Sequence, residues 1–477
     1  MNKQWKLPNL KEAQKRTKTP VNIEHSLFDI PECCKEMGKG KNYFIRTYGC
    51  QANERDGETM AGIFEELGYT QTLDMVNADV IILNTCAVRE NAEDKVFGEV
   101  GHIKHLKRTN PDLILGICGC MAQEEAMVEK IIKVYKQVDL VFGTHNIYRL
   151  PQLLYDTMKT KERMIEVYSK EGEVIENLPV RRFGLHKAWV NIMYGCDKFC
   201  TYCIVPYTRG KERSRLKEDV MKEIDELVAS NYKEVTLLGQ NVNAYGKDLG
   251  YVNGFADLLE SVAKTGIPRI RFVTSHPWDF TQEMIDVIAK YPNIMPYIHL
   301  PVQSGNTQVL KLMGRRYTIE EYKDLFNRIK AAIPHCAFTT DIIVGFPNET
   351  DEQFEDTLKI VDECQYDAAF TFIYSPREGT PAARMVDTTP YEVKEVRLKR
   401  LIEKVAFYAN QNNQKYVGRI EKVLVDGPSK KNSEVYSGYT ESQKLVNFTC
   451  DKSVQVGDII EVEIIEAKSW TLTGKQV

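Results

Sequence analysis

The sequence has no long hydrophobic run. Its purely apolar stretches are short, such as Val80-Ile81-Ile82-Leu83, against the ~20 residues that a membrane-spanning helix requires. The N-terminus, Met-Asn-Lys-Gln-Trp-Lys, has no apolar core behind its charges, so no secretory signal is expected and the cytoplasm is the expected location. Proline (18) and glycine (29) are too few among 477 residues for a collagen-like or broadly disordered chain. A basic excess is also missing, since 63 Lys and Arg face 67 Asp and Glu for a net charge of −4. No global field draws nucleic acid to the chain, so any such partner must be met by local patches. Twelve cysteines are too sparse for a disulfide scaffold. Without an export signal, closely spaced cysteines point instead to metal or redox chemistry.

What is present suits a soluble globular protein, with 43% hydrophobic and 27% charged residues. The length fits roughly three domains of about 150 residues. Residues 1–41 hold nine Lys and Arg against five Asp and Glu with no sustained period, and are expected to form a flexible N-terminal arm. From 42 to 155 strands and helices alternate. Strands are predicted at Tyr43–Tyr48, Ala78–Asn84, Leu113–Cys118 and Val138–Phe142. Between them, Met60, Ile63, Phe64 and Leu67 form the stripe of an amphipathic helix. Such alternation predicts a doubly wound parallel sheet. From 186 to 414 six further strands are predicted: Trp189–Tyr194, Val235–Leu238, Ile270–Thr274, Tyr297–Val302, Phe338–Val344 and Ala368–Tyr374. Six βα units suggest an open (β/α)6 barrel. Short β-rich segments over 416–477 read as a small β-barrel. The chain is thus an α/β protein with a small all-β tail.

The strongest motif is Gly195-Cys196-Asp197-Lys198-Phe199-Cys200-Thr201-Tyr202-Cys203, a C-x3-C-x2-C run at the end of the first barrel strand. Three thiolates on one tight loop can bind three corners of a cubane and leave one iron open. A zinc site would want a fourth protein ligand, and none is local. Three more cysteines are brought together by topology. Cys50, Cys86 and Cys120 each lie just past a predicted strand, and parallel strands open their C-terminal ends on one sheet edge. Small neighbours, Gly49, Ala87 and Gly119, leave room for an inorganic cluster. Cys118, Cys336, Cys364 and Cys450 are assigned to the core.

The C-x3-C-x2-C spacing, with Tyr202 before its third cysteine, resembles the radical S-adenosylmethionine superfamily. That resemblance implies that the open iron holds the amino and carboxylate groups of S-adenosylmethionine. Gly345-Phe346-Pro347-Asn348-Glu349 resembles the superfamily's Gly-x-Pro-x-Glu element, which holds the adenine. Gly239-Gln240-Asn241 departs from the usual Gly-Gly-Glu at the amino-group contact. Pro301-Val302-Gln303-Ser304-Gly305 ends the fourth strand, facing the ribose or carboxylate. Implied cofactor contacts are therefore Tyr202, Gly239, Gln240, Gln303, Ser304, Gly345 and Pro347, although each glycine-containing segment also reads as a tight βα turn.

Beyond residue 41 the chain resembles the radical-SAM methylthiotransferases, whose order is an auxiliary-cluster domain, a radical-SAM barrel and a TRAM-type barrel. The run from Phe199 to Arg215 carries the closest likeness, to the bacterial tRNA branch acting on isopentenylated adenosine beside the anticodon. The resemblance implies two 4Fe–4S clusters, one on Cys50, Cys86 and Cys120 and one on Cys196, Cys200 and Cys203. It also implies two S-adenosylmethionine molecules per turnover, one giving a methyl group and one a radical. The implied partners are a tRNA anticodon stem-loop and an electron donor such as a flavodoxin or ferredoxin, with the chain acting as a monomer away from membranes.

Arg209, Lys211, Arg213 and Arg215 against Glu212 form a local patch of net charge +3, suited to phosphate contacts on RNA. His276 and His299 near strand ends are expected to be structural. Three other readings stay open on the sequence. Two share the chemistry and change the substrate to threonylcarbamoyl-adenosine in tRNA or an aspartate of a ribosomal protein. The third is a non-catalytic RNA-binding protein with structural zinc.

Overall fold

Val80–Thr85 and Ile114–Gly119 are buried at every position, as expected of strands with helices on both faces. They are the middle of a six-stranded sheet in the computed structural model, which describes residues 5–16, 23–87, 90–168, 173–429, 432–451 and 453–477. The chain divides into two compact units, and this sheet is the heart of the first, Met1–Phe183 with Met193–Asp197 and Ile204–Asp219. Its strand order is Thr70–Gln71, Asn42–Thr47, Val80–Thr85, Ile114–Gly119, Leu140–Phe142 and Met164–Glu166, all parallel. Period-two alternation divides the core. Ile81, Leu83, Leu115 and Ile117 pack with Val96, Val100 and Ile131 on one face. Val80, Ile82, Ile114 and Cys118 pack with Met60, Phe64 and Leu153 on the other.

The doubly wound sheet is as expected, with two differences. Both outer strands lie outside the sequence-based assignment, and Met164–Glu166 carries the sheet past the boundary at 155. The expectation of a flexible arm is corrected for the described part of residues 1–41. The Lys6 amide donates to Ile165 O (3.1 Å) and the Val167 amide to Lys6 O (2.8 Å). Glu24–Leu27 pairs in parallel with Glu173–Glu176, and Cys34 is fully buried among Tyr43, Met60 and Phe64. The physical reasons are unpaired N–H and C=O groups that need a partner, at the edge strand Met164–Glu166 for Lys6 and in a separate two-stranded sheet for Glu24–Leu27, and burial of apolar surface around Cys34.

The second unit, Gly184–Ile192 with Lys198–Cys203 and Val220–Val477, holds two three-stranded parallel sheets. One is Lys187–Asn191, Glu234–Leu238 and Arg269–Phe272; the other is Tyr297–His299, Ala337–Val344 and Ala368–Ile373. They join where the Ile270 amide donates to Asn293 O and the Met295 amide to Ile270 O, both 2.8 Å. Six parallel strands thus follow in chain order with the first and last unjoined among the described residues, which is the open (β/α)6 arrangement. Helix Tyr391–Gln414 leads into a closed five-stranded barrel of Ile420–Ser429, Asn432–Thr440, Leu445–Thr449, Leu472–Gln476 and Ile459–Ala467. Val423, Val425, Val446, Phe448 and Ile464 fill it. Among the described residues no helix is long and apolar enough to cross a membrane.

The small barrel is fastened to the strand starts of the (β/α)6 barrel. Arg269, 1% exposed, donates to Tyr439 O and Lys422 O at 2.8 Å each. Lys444 pairs with Asp367 at 2.6 Å and Lys187 with Asp426 at 2.6 Å. Removing residues 416–477 would strip these partners from buried charges, so it is not a neutral way to test RNA binding. Arg269→Met leaves two carbonyls without their donor and is expected to destabilise the second unit by about 2–3 kcal/mol. Arg328→Ala, on an exposed i,i+4 pair with Asp324, should change thermal stability by less than about 0.5 kcal/mol. Equal melting of the two variants would contradict the fastening role.

Candidate active site

Cys50 is the N-cap of helix Gln51–Glu66, Cys86 follows Val80–Thr85, and Cys120 follows Ile114–Gly119. Because the strands are parallel and adjacent, the three turns share one sheet edge. Their hub is Asn53, fully buried one turn into the helix. Its Oδ1 lies 3.9 Å from Cys50 Sγ and 3.8 Å from Cys120 Sγ. Its Nδ2 donates to Thr85 O at 2.8 Å and Tyr48 O at 3.1 Å, tying the hub to the strand end before Cys86. Gly49, at φ +130°, has room for no side chain, since a Cβ there would sit 2.6 Å from Cys86 Cβ. At Gly119, φ +94°, a Cβ would meet Thr85 O at 2.3 Å. The turns that carry the three cysteines thus lie side by side at one sheet edge, with Cys50 and Cys120 facing Asn53.

Arg209, just after helix Val205–Thr208, enters this site. Its Nε donates towards Cys120 Sγ at 3.4 Å, and its terminal nitrogen donates to Asp56 (2.6 Å) and Asn53 Oδ1 (2.7 Å). Burial would lower the guanidinium pKa, but Asp56, Cys120 and Cys50 hold it well above the ordinary value. It is a fixed cation. Burial pushes the Cys120 thiol up to about 12 against the pull of Arg209, so a thiolate here needs more positive charge than the arginine alone. Ala87, Ile204 and Tyr207 pack around Cys120 as an apolar wall.

The second cysteine loop is pinned from several sides. The Cys196 amide donates to Gly210 O (3.0 Å) and the Cys203 amide to Cys200 O (3.0 Å). The Thr201 amide donates to Met313 O, and the Ala382 amide to Thr201 O, both at 2.9 Å. Buried Arg315 donates towards Cys200 Sγ at 3.6 Å and to Pro301 O at 3.0 Å. All twelve cysteines are free thiols. Among the described residues no three His, Cys, Asp or Glu side chains are placed to hold a single metal ion; a cubane instead takes one thiolate per iron. The donor set fits such a cluster: free thiols in each loop, each loop with a buried arginine facing one sulfur.

Of the residues expected to hold S-adenosylmethionine, Gln303 has the most suggestive placement. It is 7% exposed at φ +69°, with Oε1 buried and without a partner among the described residues. Gly239 O accepts from the Thr274 hydroxyl (2.7 Å), and Gln240 is half-buried. Tyr202 packs against a cluster with Phe346 and Tyr374, which makes it a wedge for the loop. Ser304 is corrected: its hydroxyl is fully buried, accepting from the Asn306 amide (3.2 Å) and lying 3.4 Å from Thr357 Oγ1. Gly345 and Pro347 form a self-held turn, since Glu349 accepts from the Gly345 amide (2.7 Å) and Arg397 grips Glu349.

The basic patch is corrected most. Arg209, Arg213 and Arg215 are buried, and Lys211 is half-buried. Arg215 pairs with buried Glu176 at 2.8 Å, and Arg213 faces His145 and the Arg209 carbonyl. An arginine committed to a buried acid has no free face for phosphate. His299 bonds Thr339 and Asp341, a structural role as expected. His276 accepts from the Trp278 amide through Nδ1 (3.3 Å) and leaves Nε2 buried without a partner among the described residues. Burial, with Arg315, Lys198 and Lys247, holds its pKa well below the ordinary value, so it is neutral. Cys118 and Cys364 are buried as expected, whereas Cys336 and Cys450 are half-buried. Sequence reasoning missed Asn53, Asp56, Arg315 and the Lys198–Asp279 pair. Only Asn53 carried a signal, its i,i+3 spacing from Cys50.

Comparisons with known proteins agree with this layout. Residues 190–361 match the radical SAM superfamily, residues 42–143 the uncharacterized protein family UPF0004, and residues 414–477 the TRAM domain. The tRNA-2-methylthio-N(6)-dimethylallyladenosine synthase of Bacillus cytotoxicus is 59% identical over 471 residues, 98% of this chain and 92% of that protein. The synthase of the same name from Geobacillus kaustophilus is 60% identical over 98% of this chain and 88% of its own. Among solved structures, the radical S-adenosylmethionine methyltransferase TsrM from Kitasatospora setae, with tryptophan and a SAM analog bound, shares the fold. It has a TM-score of 0.54 at 13% identity, covering 72% of this chain and 75% of that one. Fold and site define the class, a radical SAM enzyme flanked by a doubly wound domain and a TRAM barrel. Within it, the chain belongs to the family of tRNA-2-methylthio-N(6)-dimethylallyladenosine synthases.

Proposed function

We propose that this chain adds a methylthio group to carbon 2 of the adenine ring of N(6)-dimethylallyladenosine beside the anticodon of tRNA. The observation that carries the reading is identity near 60% across 98% of the chain to proteins named for that product. An aromatic C–H has no acid–base route at neutral pH, so a cofactor must carry the chemistry. When bound, two 4Fe–4S clusters and S-adenosylmethionine would supply one-electron cleavage, hydrogen abstraction, an open iron to hold the sulfur, and the methyl group.

The protein's part is to hold and insulate. Cys50, Cys86 and Cys120 would hold one cluster and Cys196, Cys200 and Cys203 the other. Arg209 places a fixed positive charge against Cys120, and Arg315 secures the loop at Cys200. With Nδ1 accepting, neutral His276 carries its proton on Nε2 and offers a donor, while Gln303 Oε1 offers an acceptor; a bound S-adenosylmethionine can use both. The TRAM barrel supports the RNA side of the reading. A flavodoxin or ferredoxin as electron donor, action as a monomer and a cytoplasmic site complete the proposal.

Nucleoside mass spectrometry of tRNA from a deletion strain tests it. Dimethylallyladenosine should accumulate and its methylthio product vanish. Loss of methylthiolation from threonylcarbamoyl-adenosine or a ribosomal-protein aspartate instead would reassign the substrate. Anaerobically purified protein should carry about eight iron per chain with matching sulfide; stoichiometric zinc without sulfide would point to the non-catalytic alternative.

A further inference from the structure

Trp278 lies in the turn Pro277–Asp279, after the third strand of the (β/α)6 barrel. Pro277 and Asp279 on either side are buried, yet the indole is 46% exposed. Two cations from other loops stand over it. Lys198 Nζ is 5.8 Å from the ring centroid and Arg316 Cζ 5.3 Å. The arrangement is rigidly supported. Asp279 accepts from Lys198 (2.5 Å), Lys247 (2.6 Å) and Asn241 (2.7 Å). Burial would raise its pKa, but these three donors together hold the carboxyl below its usual range. Arg315, next to Arg316, is buried and bonded to Pro301 O. Arg316 itself is exposed and has no acidic partner among the described residues.

An open indole under two cations is the chemistry that takes unpaired nucleobases. Bases splayed from single-stranded loops stack on aromatic rings and guanidinium planes. Lys198, held by Asp279, backs the indole, and exposed Arg316 is the cation left to meet an adjoining phosphate. Its place selects the occupant. Lys198 lies between Cys196 and Cys200, so whatever stacks on Trp278 lies beside the proposed S-adenosylmethionine loop. We infer that Trp278, Lys198 and Arg316 form a stacking platform for an unpaired anticodon-loop base flanking the target adenosine, holding the loop open while the target is presented. This inference rests on the tRNA reading above.

The test is a cycle between protein and RNA, using the full-length holoprotein and a dimethylallyladenosine-containing anticodon stem-loop. Trp278→Ala should weaken binding about 10- to 100-fold, and Trp278→Phe should restore most of it. A stem-loop with an abasic site beside the target should lose affinity with the unsubstituted chain but not further with Trp278→Ala. Binding should quench indole fluorescence less in Trp278→Phe. Arg316→Ala should reduce the salt slope of binding by about one. If Trp278→Ala fails to fold, judged by melting and iron content, Trp278→Phe with the abasic RNA carries the test through the quench. Full affinity of Trp278→Ala, or an abasic loss that adds independently to it, overturns the platform while the unsubstituted chain still methylthiolates the RNA. An unsubstituted chain that neither binds nor methylthiolates the stem-loop overturns the functional reading first.

Discussion

Arg209→Met is expected to destabilise the first unit by about 3–5 kcal/mol, the range for removing one partner of a buried ion pair. Asp56 is left 5% exposed with its 2.6 Å partner gone. Even beside Arg209, burial holds the Asp56 carboxyl above its usual range. A carboxyl whose folded pKa is raised binds more protons in the folded state, so stability falls as pH rises above the ordinary carboxylate range. Without Arg209 the shift grows, so the variant should lose more stability at pH 8 than at pH 5. Arg209→Met combined with Asp56→Asn should recover more than half of the loss, because no buried charge remains. Urea midpoints of the three iron-free proteins at both pH values measure this. A single variant as stable as the unsubstituted chain would show that the ion pair carries no net stabilisation.

The second large effect separates the two cysteine sets. Cys200→Ala is expected to cut iron content by about half and to reduce S-adenosylmethionine cleavage at least about 100-fold. Cys86→Ala should lose a similar share of iron, retain cleavage, and yield no methylthiolated RNA. The expectation follows from placement: Cys86 sits at the end of a sheet strand in the first unit, and Cys200 lies in the second unit beside Arg315. Anaerobic turnover with quantification of 5′-deoxyadenosine and methylthio-adenosine decides it. Full methylthiolation by Cys86→Ala would remove the sheet-edge site from the reaction.

Both expectations depend on features that differ in how far they can be read from sequence. The shared sheet edge of the turns that carry Cys50, Cys86 and Cys120 is legible because alternating strands and helices force parallel strands, and parallel strands end on one edge. Six βα units likewise announced the open barrel, and short β segments the small closed one. Hydrophobic period is local, and these conclusions needed only local period plus chain order.

Burial of charge is not local. Arg209 and Arg215 read as part of a basic patch for RNA phosphates because sequence counts charges without showing which ones find an acid. Only tertiary packing brings Asp56 and Asn53 to Arg209 across more than 150 positions, and Glu176 to Arg215. The described part of the N-terminal segment, too polar to announce a core, bonds to strands whose open hydrogen bonds appear only after folding: Lys6 at the edge of the six-stranded sheet, and Glu24–Leu27 with Glu173–Glu176. The same holds for the indole of Trp278 between Lys198 and Arg316. Sequence alone determined which elements form and which thiols share an edge, since both follow from period and order. The tertiary structure decided which cations are spent inside and which face outward, because the energy of a buried charge depends on partners that only the fold supplies.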